Sequence, residues 1–489
     1  MQVQAIDHMA LLPLYLAAGA GVLALFAGRF AKACTMIGLS AAAIAAAWVG
    51  GGEDRATFAV GGWHSFVADD AAMGAAVVFA GLSVLVAALS GRQAGEYWFL
   101  LAVSAAGGIT LAGARDLITL IVALETLTVP LYVLVTRPGR DGAEAGVTFL
   151  IASIVSSATA LMGAALLYSA AGTVHLEGLA AGLAGADAGL VAAGAALLLG
   201  GLAFKLAAAP LHAWAPLVLE RAPLPIATYL ASASKLGGAV AIVWVVHFGL
   251  GASAGTSTGI VVAALSVASI VTGNLGALVQ RRTVPLLAWS GIAHAGYVLA
   301  PLAVVATAAG QEDAAAAASA ALAYAVFFVL LEAGAFAALT AIRSGAVSPA
   351  DGLDAAPAGR GVHVSGEGGS IAELAGLWRA APLPASLLLF SVVGLAGLPP
   401  ALAGTFAKVA VLEVLASSAV WLAVIVAAGA VLGLAYYLPL ARTVLMGRGA
   451  AGRGTGKGRF AIALALIGIA LLAVTLAPQL VLDFTAISR

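Results

Sequence analysis

The chain has 489 residues, 63% of them hydrophobic and 9% charged, where ordinary soluble domains carry about 25% charged residues. That balance excludes a water-soluble globular domain and implies a polytopic membrane protein. Lys plus Arg and Asp plus Glu stand at 22 each, so no basic face for nucleic acid is suggested, and the single cysteine, Cys34, excludes a disulfide framework, a cysteine-ligated zinc site and an iron–sulfur cluster.

A helix needs about 20 apolar residues to cross a bilayer. In chain order that criterion predicts fourteen spans: 10–28, 33–50, 71–90, 97–114, 117–135, 146–170, 188–209, 223–247, 258–279, 284–308, 314–341, 383–415, 418–441 and 460–482. The opening residues MQVQAIDHMA hold no Lys or Arg. They lack the basic region of a cleaved signal peptide, so the first span is expected to be retained. With residues 1–9 outside, sixteen Lys and Arg fall in cytoplasmic connections and three on the opposite side, while Lys205, Lys235 and Lys408 lie within spans and complete the inventory of 22. This bias obeys the positive-inside rule. One missed or invented span would scramble it, so an even number of spans with both termini outside is expected.

Two spans are expected to be discontinuous. Pro210 and Pro216 interrupt the apolar stretch that continues the seventh, and Gly394, Gly397, Pro399, Pro400 and Gly404 crowd the middle of the twelfth. Proline removes an amide donor and clashes with the preceding turn. At membrane depth such backbone is tolerated only where protein buries it or it lines a hydrated cavity. Each broken span carries a lysine, Lys205 or Lys408, and the two are five spans apart. Paired discontinuous helices point to an inverted repeat with its site at the repeat interface.

The expected fold class is therefore all-α, with about 14 transmembrane helices, two inverted five-helix repeats, and discontinuous helices 7 and 12. The expected divisions are 1–94 for helices 1–3, 95–250 for helices 4–8, 251–445 for helices 9–13, and 446–489 for helix 14. The third division includes a cytoplasmic loop, 343–380, rich in Gly, Ala and Pro, with Asp351, Asp354 and Glu367. It has no helical period and reads as a mobile connection rather than a separate domain.

The chemistry sits in the buried ionisable groups. An ammonium at the bilayer centre costs roughly 2.5–3.5 kcal/mol on insertion scales, so each of the three lysines must face a protein or water-lined interior. Lysine releases a proton when its surroundings favour it, and arginine does not. Three lysines and no arginine at depth is the composition expected of a proton relay. Glu125, midway along LITLIVALETLTVPLYVLV, supplies a carboxylate in the same setting. His294 and His212 are candidates to bridge gaps, since imidazole titrates near neutrality; each also reads as a neutral core histidine. Glu332, in FFVLLEAGAFAAL, is either a relay member or a structural partner for a serine or amide. For Glu125 and the lysines the competing reading is a static ion pair. Gly-rich phosphate loops, HExxH and CxxC are absent, and no metal or cofactor site is expected.

Three stretches carry a resemblance. GLAFKLAAAPLHAWAPLVLERAPLPIATYLASASKLGGA is similar to the seventh and eighth helices of the antiporter-like subunits of respiratory complex I. NLGALVQRRTVPLLAWSGIAHAGYVLAPL and GLAGLPPALAGTFAKVAVLEVL resemble the ninth–tenth and twelfth helices of that family, and the similarity runs over about residues 95–445. Ser234-Lys235, a lysine at 408 and the modest length favour a shorter member without a long C-terminal lateral helix.

The resemblance implies that Glu125 pairs with Lys205, that Lys235 is the central lysine, that Lys408 lies near the exit and that His294 is the tenth-helix histidine. Protons would enter from the cytoplasm and leave outside, in a bacterial inner membrane, beside neighbouring antiporter-like and small membrane subunits. Quinone chemistry, flavin and iron–sulfur clusters would belong to other subunits. The chain departs from the family's WAPDVYEGAPTP motif at Leu217, Leu219, Arg221 and Leu224. Glu332 stands where an uncharged residue is expected, and the basic tract Arg448–Arg459 is unusual. These departures leave open a main subunit or a divergent paralogue. A Mrp-type Na+/H+ antiporter subunit, a membrane-bound hydrogenase subunit and a non-pumping assembly scaffold are the alternatives.

Overall fold

The computed structural model describes residues 5–136, 140–251, 253–344, 368–447 and 460–487. The middle of the 343–380 loop, with Asp351, Asp354 and Glu367, lies outside the described residues, as does the Arg448–Arg459 tract. From residue 368 the loop is anchored rather than mobile. Arg343 pairs with Glu373 at 2.5 Å, and Arg282 bridges to Ser370 through the backbone.

Every predicted span contains helix. Among the described residues, eleven helices are each long and apolar enough to cross a membrane. The first, twelfth and fourteenth predicted spans hold shorter helices, and the whole is a multi-pass, nearly all-α membrane protein. In chain order the helices used below are α1 (Leu12–Phe26), α2 (Ala31–Gly50), α3 (Asp70–Leu89), α4 (Gly95–Gly113), α5 (Leu117–Leu134), α6 (Arg140–Ala171), α7 (Leu176–Gly182), α8 (Ala188–Lys205) and α9 (Trp214–Arg221). They continue as α10 (Leu224–Leu250), α11 (Gly255–Leu278), α12 (Thr283–Leu299), α13 (Ala314–Ser344), α14 (Pro382–Ala396), α15 (Ala403–Ser418), α16 (Val420–Met446), α17 (Ala461–Leu476) and α18 (Gln479–Thr485).

Three elements depart from expectation. The connection between α2 and α3 holds an antiparallel hairpin, β1 (Arg55–Val60) and β2 (Trp63–Ala68), turning at Gly61-Gly62 with φ of +61° and +90°. Phe66 of β2 pairs with Ala114, so the hairpin braces the junction between α4 and α5. There Arg115, 3% exposed, reaches Asp69 at 2.6 Å. The fourteenth span is bent by 80° between α17 and α18, where Pro478 supplies no amide to continue the ladder. The seventh ends at Lys205, four residues before its predicted limit.

Burial follows position in the bundle. Along α10 the span is wholly buried, and along α13 mostly so, whereas α2, α6, α11 and α16 leave most of their residues at least partly exposed. That exposed apolar surface suits lipid, which is itself as apolar as leucine. At the centre α13 packs against α10, α12, α14, α15 and α17.

Candidate functional site

The site begins where α5, α6 and the end of α8 meet. Asp116 caps α5, its carboxylate accepting from the amides of Ile118 and Thr119 at 2.9 and 2.8 Å. Glu125 and Thr128 then fall three residues apart on one face. Lys205 is the last residue of α8, and its ammonium reaches Glu125 Oε1 at 2.8 Å. It also donates to Thr128 Oγ1 at 2.9 Å and Ser153 Oγ at 2.7 Å. All three of its protons therefore have acceptors. Ser157, one turn beyond Ser153 on α6, donates to Glu125 Oε1 at 2.5 Å. Lys205 is 2% exposed and Glu125 28%, so the pair is open on its acidic side and closed on its basic side.

Lys235 lies in α10 immediately after a wider, π-helical turn at Leu230–Ser234; a second such turn spans Val245–Leu250. Turns of this kind recur at functional sites. One turn past Lys235, Gly238 packs on the break in α8: a side chain there would begin 2.5 Å from Leu206 N and 2.7 Å from Lys205 C. The helix carrying the central lysine thus rests on the backbone that ends at the first lysine. The Lys235 ammonium itself points the other way, to both carboxylate oxygens of Glu332 on α13, each at 2.9 Å. Neither a serine nor an amide is the partner of Glu332; a lysine is.

Lys408, on α15, donates to the carbonyls of Leu395 and Ala396 at 2.9 and 2.8 Å. These are the final carbonyls of α14, which stops at Gly397 in the left-handed region, φ +81°. Unpaired carbonyls and the negative end of the helix dipole together favour a cation there. Each broken span thus presents its lysine at or against a helix end.

His294, on α12, lies within electrostatic reach of both Lys235 and Lys408. Its ring nitrogens meet Tyr324 Oη at 2.9 Å and Tyr437 Oη at 3.2 Å, and its face stacks on Phe328 with centroids 4.8 Å apart. His212 is not drawn into this cluster. It sits half-buried beside Trp289, 5.3 Å between centroids, and its Nδ1 has no hydrogen-bond partner. Among the described residues no group of three or more His, Cys, Asp or Glu could hold a metal. Sequence reading did not single out Thr128, Ser153, Ser157, Tyr324 or Tyr437. The available signal was polar residues spaced three or four apart in otherwise apolar helices.

Residues 114–433 match the family model described as NADH:quinone oxidoreductase/Mrp antiporter, transmembrane. The chain belongs to that family. A relative in Salinispora tropica, named NADH-quinone oxidoreductase subunit N, is 46% identical over 458 residues, 89% of this chain and 84% of the relative. A chain of respiratory complex I from Thermus thermophilus with bound aureothin superposes with a TM-score of 0.79 at 28% identity, covering 98% of this chain and all of that one. A chain of the Mrp complex from Dietzia sp. DQ12-45-1b gives 0.81 at 23% identity, covering 98% of this chain and 97% of that one, a likeness of fold alone. One of the departures from the family's proline-rich motif, Arg221, has a local consequence. Arg221 pairs with Glu144 of α6 at 2.8 Å, and the adjacent Glu220 pairs with Arg282 at 2.7 Å, tying α9 to both neighbours.

Proposed function

We propose that this antiporter-like chain is the N-type membrane-arm subunit of a bacterial NADH-quinone oxidoreductase and moves protons through a buried relay coupled to quinone reduction elsewhere in the complex. The observation that carries the reading is the Glu125–Lys205 pair, 2.8 Å apart, whose ammonium is otherwise held by two hydroxyls. Hydroxyl partners stabilise the charge without binding it irreversibly, so the pair can separate. Separation alters the electric field at Lys235, which the α8 break adjoins through Gly238. Two unit charges 4 Å apart interact by about 4 kcal/mol at an effective dielectric of 20, an effect that falls off inversely with distance. Lys235 then passes a proton towards His294, and Lys408 releases it on the outer side. His212 is the remaining candidate, at an entrance beside Trp289. Bridging water closes the gaps between these groups.

The same reading divides the chain into 1–94, 95–250, 251–445 and 446–489, with both termini outside, and seats it among neighbouring membrane-arm subunits. Replacing Lys205 by Ala in the assembled complex should abolish or sharply reduce proton transport coupled to NADH oxidation. Transport at the unaltered level would refute the assignment. Transport that requires sodium would favour the Mrp-type alternative.

A further inference from the structure

We propose that Glu332 is the counter-ion of Lys235 and a positioning residue of the relay, holding the central ammonium on the second-repeat side so that the two groups exchange protons as one unit. This rests on the proton-translocation reading above.

The geometry is that of a built site. Lys235 is 0% exposed and Glu332 1%, and both carboxylate oxygens are engaged. Glu332, Phe328 and Tyr324 fall four residues apart on one face of α13. Along that stripe the carboxylate holds Lys235, the Phe328 ring lies 5.2 Å from the same ammonium and stacks on His294, and Tyr324 hydrogen-bonds His294. One face of one helix therefore addresses the central lysine and the next group in the relay in succession.

On the opposite wall Gly291, one turn before His294 on α12, leaves the space: any Cβ there would overlap Lys235 Nζ and crowd Glu332 Oε1. The other titratable groups about the pair are His294 on α12, Tyr437 on α16, which interacts electrostatically with Glu332, and Tyr324 behind the imidazole.

Separating a positioning role from mere structure requires a pH profile. In the purified complex, reconstituted in vesicles, Glu332→Gln should lose transport about one unit or more lower in pH than the wild type, because the ammonium has lost its anionic neighbour. Glu332→Asp should restore most of the wild-type profile. An assembled Glu332→Gln complex with an unaltered profile overturns the proposal. Should Glu332→Gln not assemble, Lys235→Gln/Glu332→Gln should, since the fault is then an unpaired buried charge; failure of the double variant as well overturns the pairing. Wild-type transport in Lys205→Ala refutes the function itself. An inactive Lys205→Ala beside an unaltered Glu332→Gln refutes this inference alone.

Discussion

At the scale of single residues, the protein handles three buried ammonium groups in three ways. Lys205 has one carboxylate and two hydroxyls, Lys235 a two-pronged carboxylate, and Lys408 two main-chain carbonyls. A static ion pair and a relay member differ in whether the proton must leave. Arginine keeps the charge and cannot release it. Lys235→Arg should therefore assemble and lose at least about tenfold in transport; transport at the wild-type rate would make Lys235 a structural cation. The lysines and Glu125 were legible in the sequence because a charge inside an apolar run is costly wherever it points. The partner of Glu332 was not, since it comes from a helix 97 residues away.

At the scale of elements, the contact between α10 and the break in α8 links two of those charges. The prolines after α8 marked the break, yet the helix stops earlier, at Lys205, where the ammonium turns to α5 and α6. The wider turns of α10 had no such marker, because their hydrogen-bond register answers to neighbouring helices. Gly238→Val should wedge α10 away from the Leu206 amide. Overpacking of this kind costs about 1–3 kcal/mol, and it should lower both assembly and transport. Gly200→Ala, on α8 but facing open space, should leave both unchanged. Equal behaviour of the two variants, read by complex yield and transport rate, would remove the coupling assigned to this contact.

At the scale of the whole molecule, α13 stands at the centre and the ion pair it makes with α10 joins the two proposed repeats. The charge asymmetry of the connections orients the bundle. In a Cys34→Ser background, a cysteine at Gln93 should label from the cytoplasmic face and one at Ala184 from the outer face. The reverse pattern would invert the proposed topology, and labelling of both from one side would break the span count. The hairpin β1–β2 is set by its own antiparallel register and tied to the bundle by the pairing of Phe66 with Ala114.

Taken alone, the sequence determined the multi-pass membrane setting, the helical class, the two breaks and the identity of the ionisable groups at depth. Each of these follows from local composition, because hydrocarbon admits apolar runs, penalises charge and leaves no water to satisfy an interrupted backbone. Only the tertiary structure decided that Glu332 meets Lys235, that Lys408 rests on carbonyls, and that His294 lies among tyrosines while His212 stands apart beside Trp289. Those pairings depend on side chains brought together from distant helices, and a buried charge accepts whichever partner the packing presents.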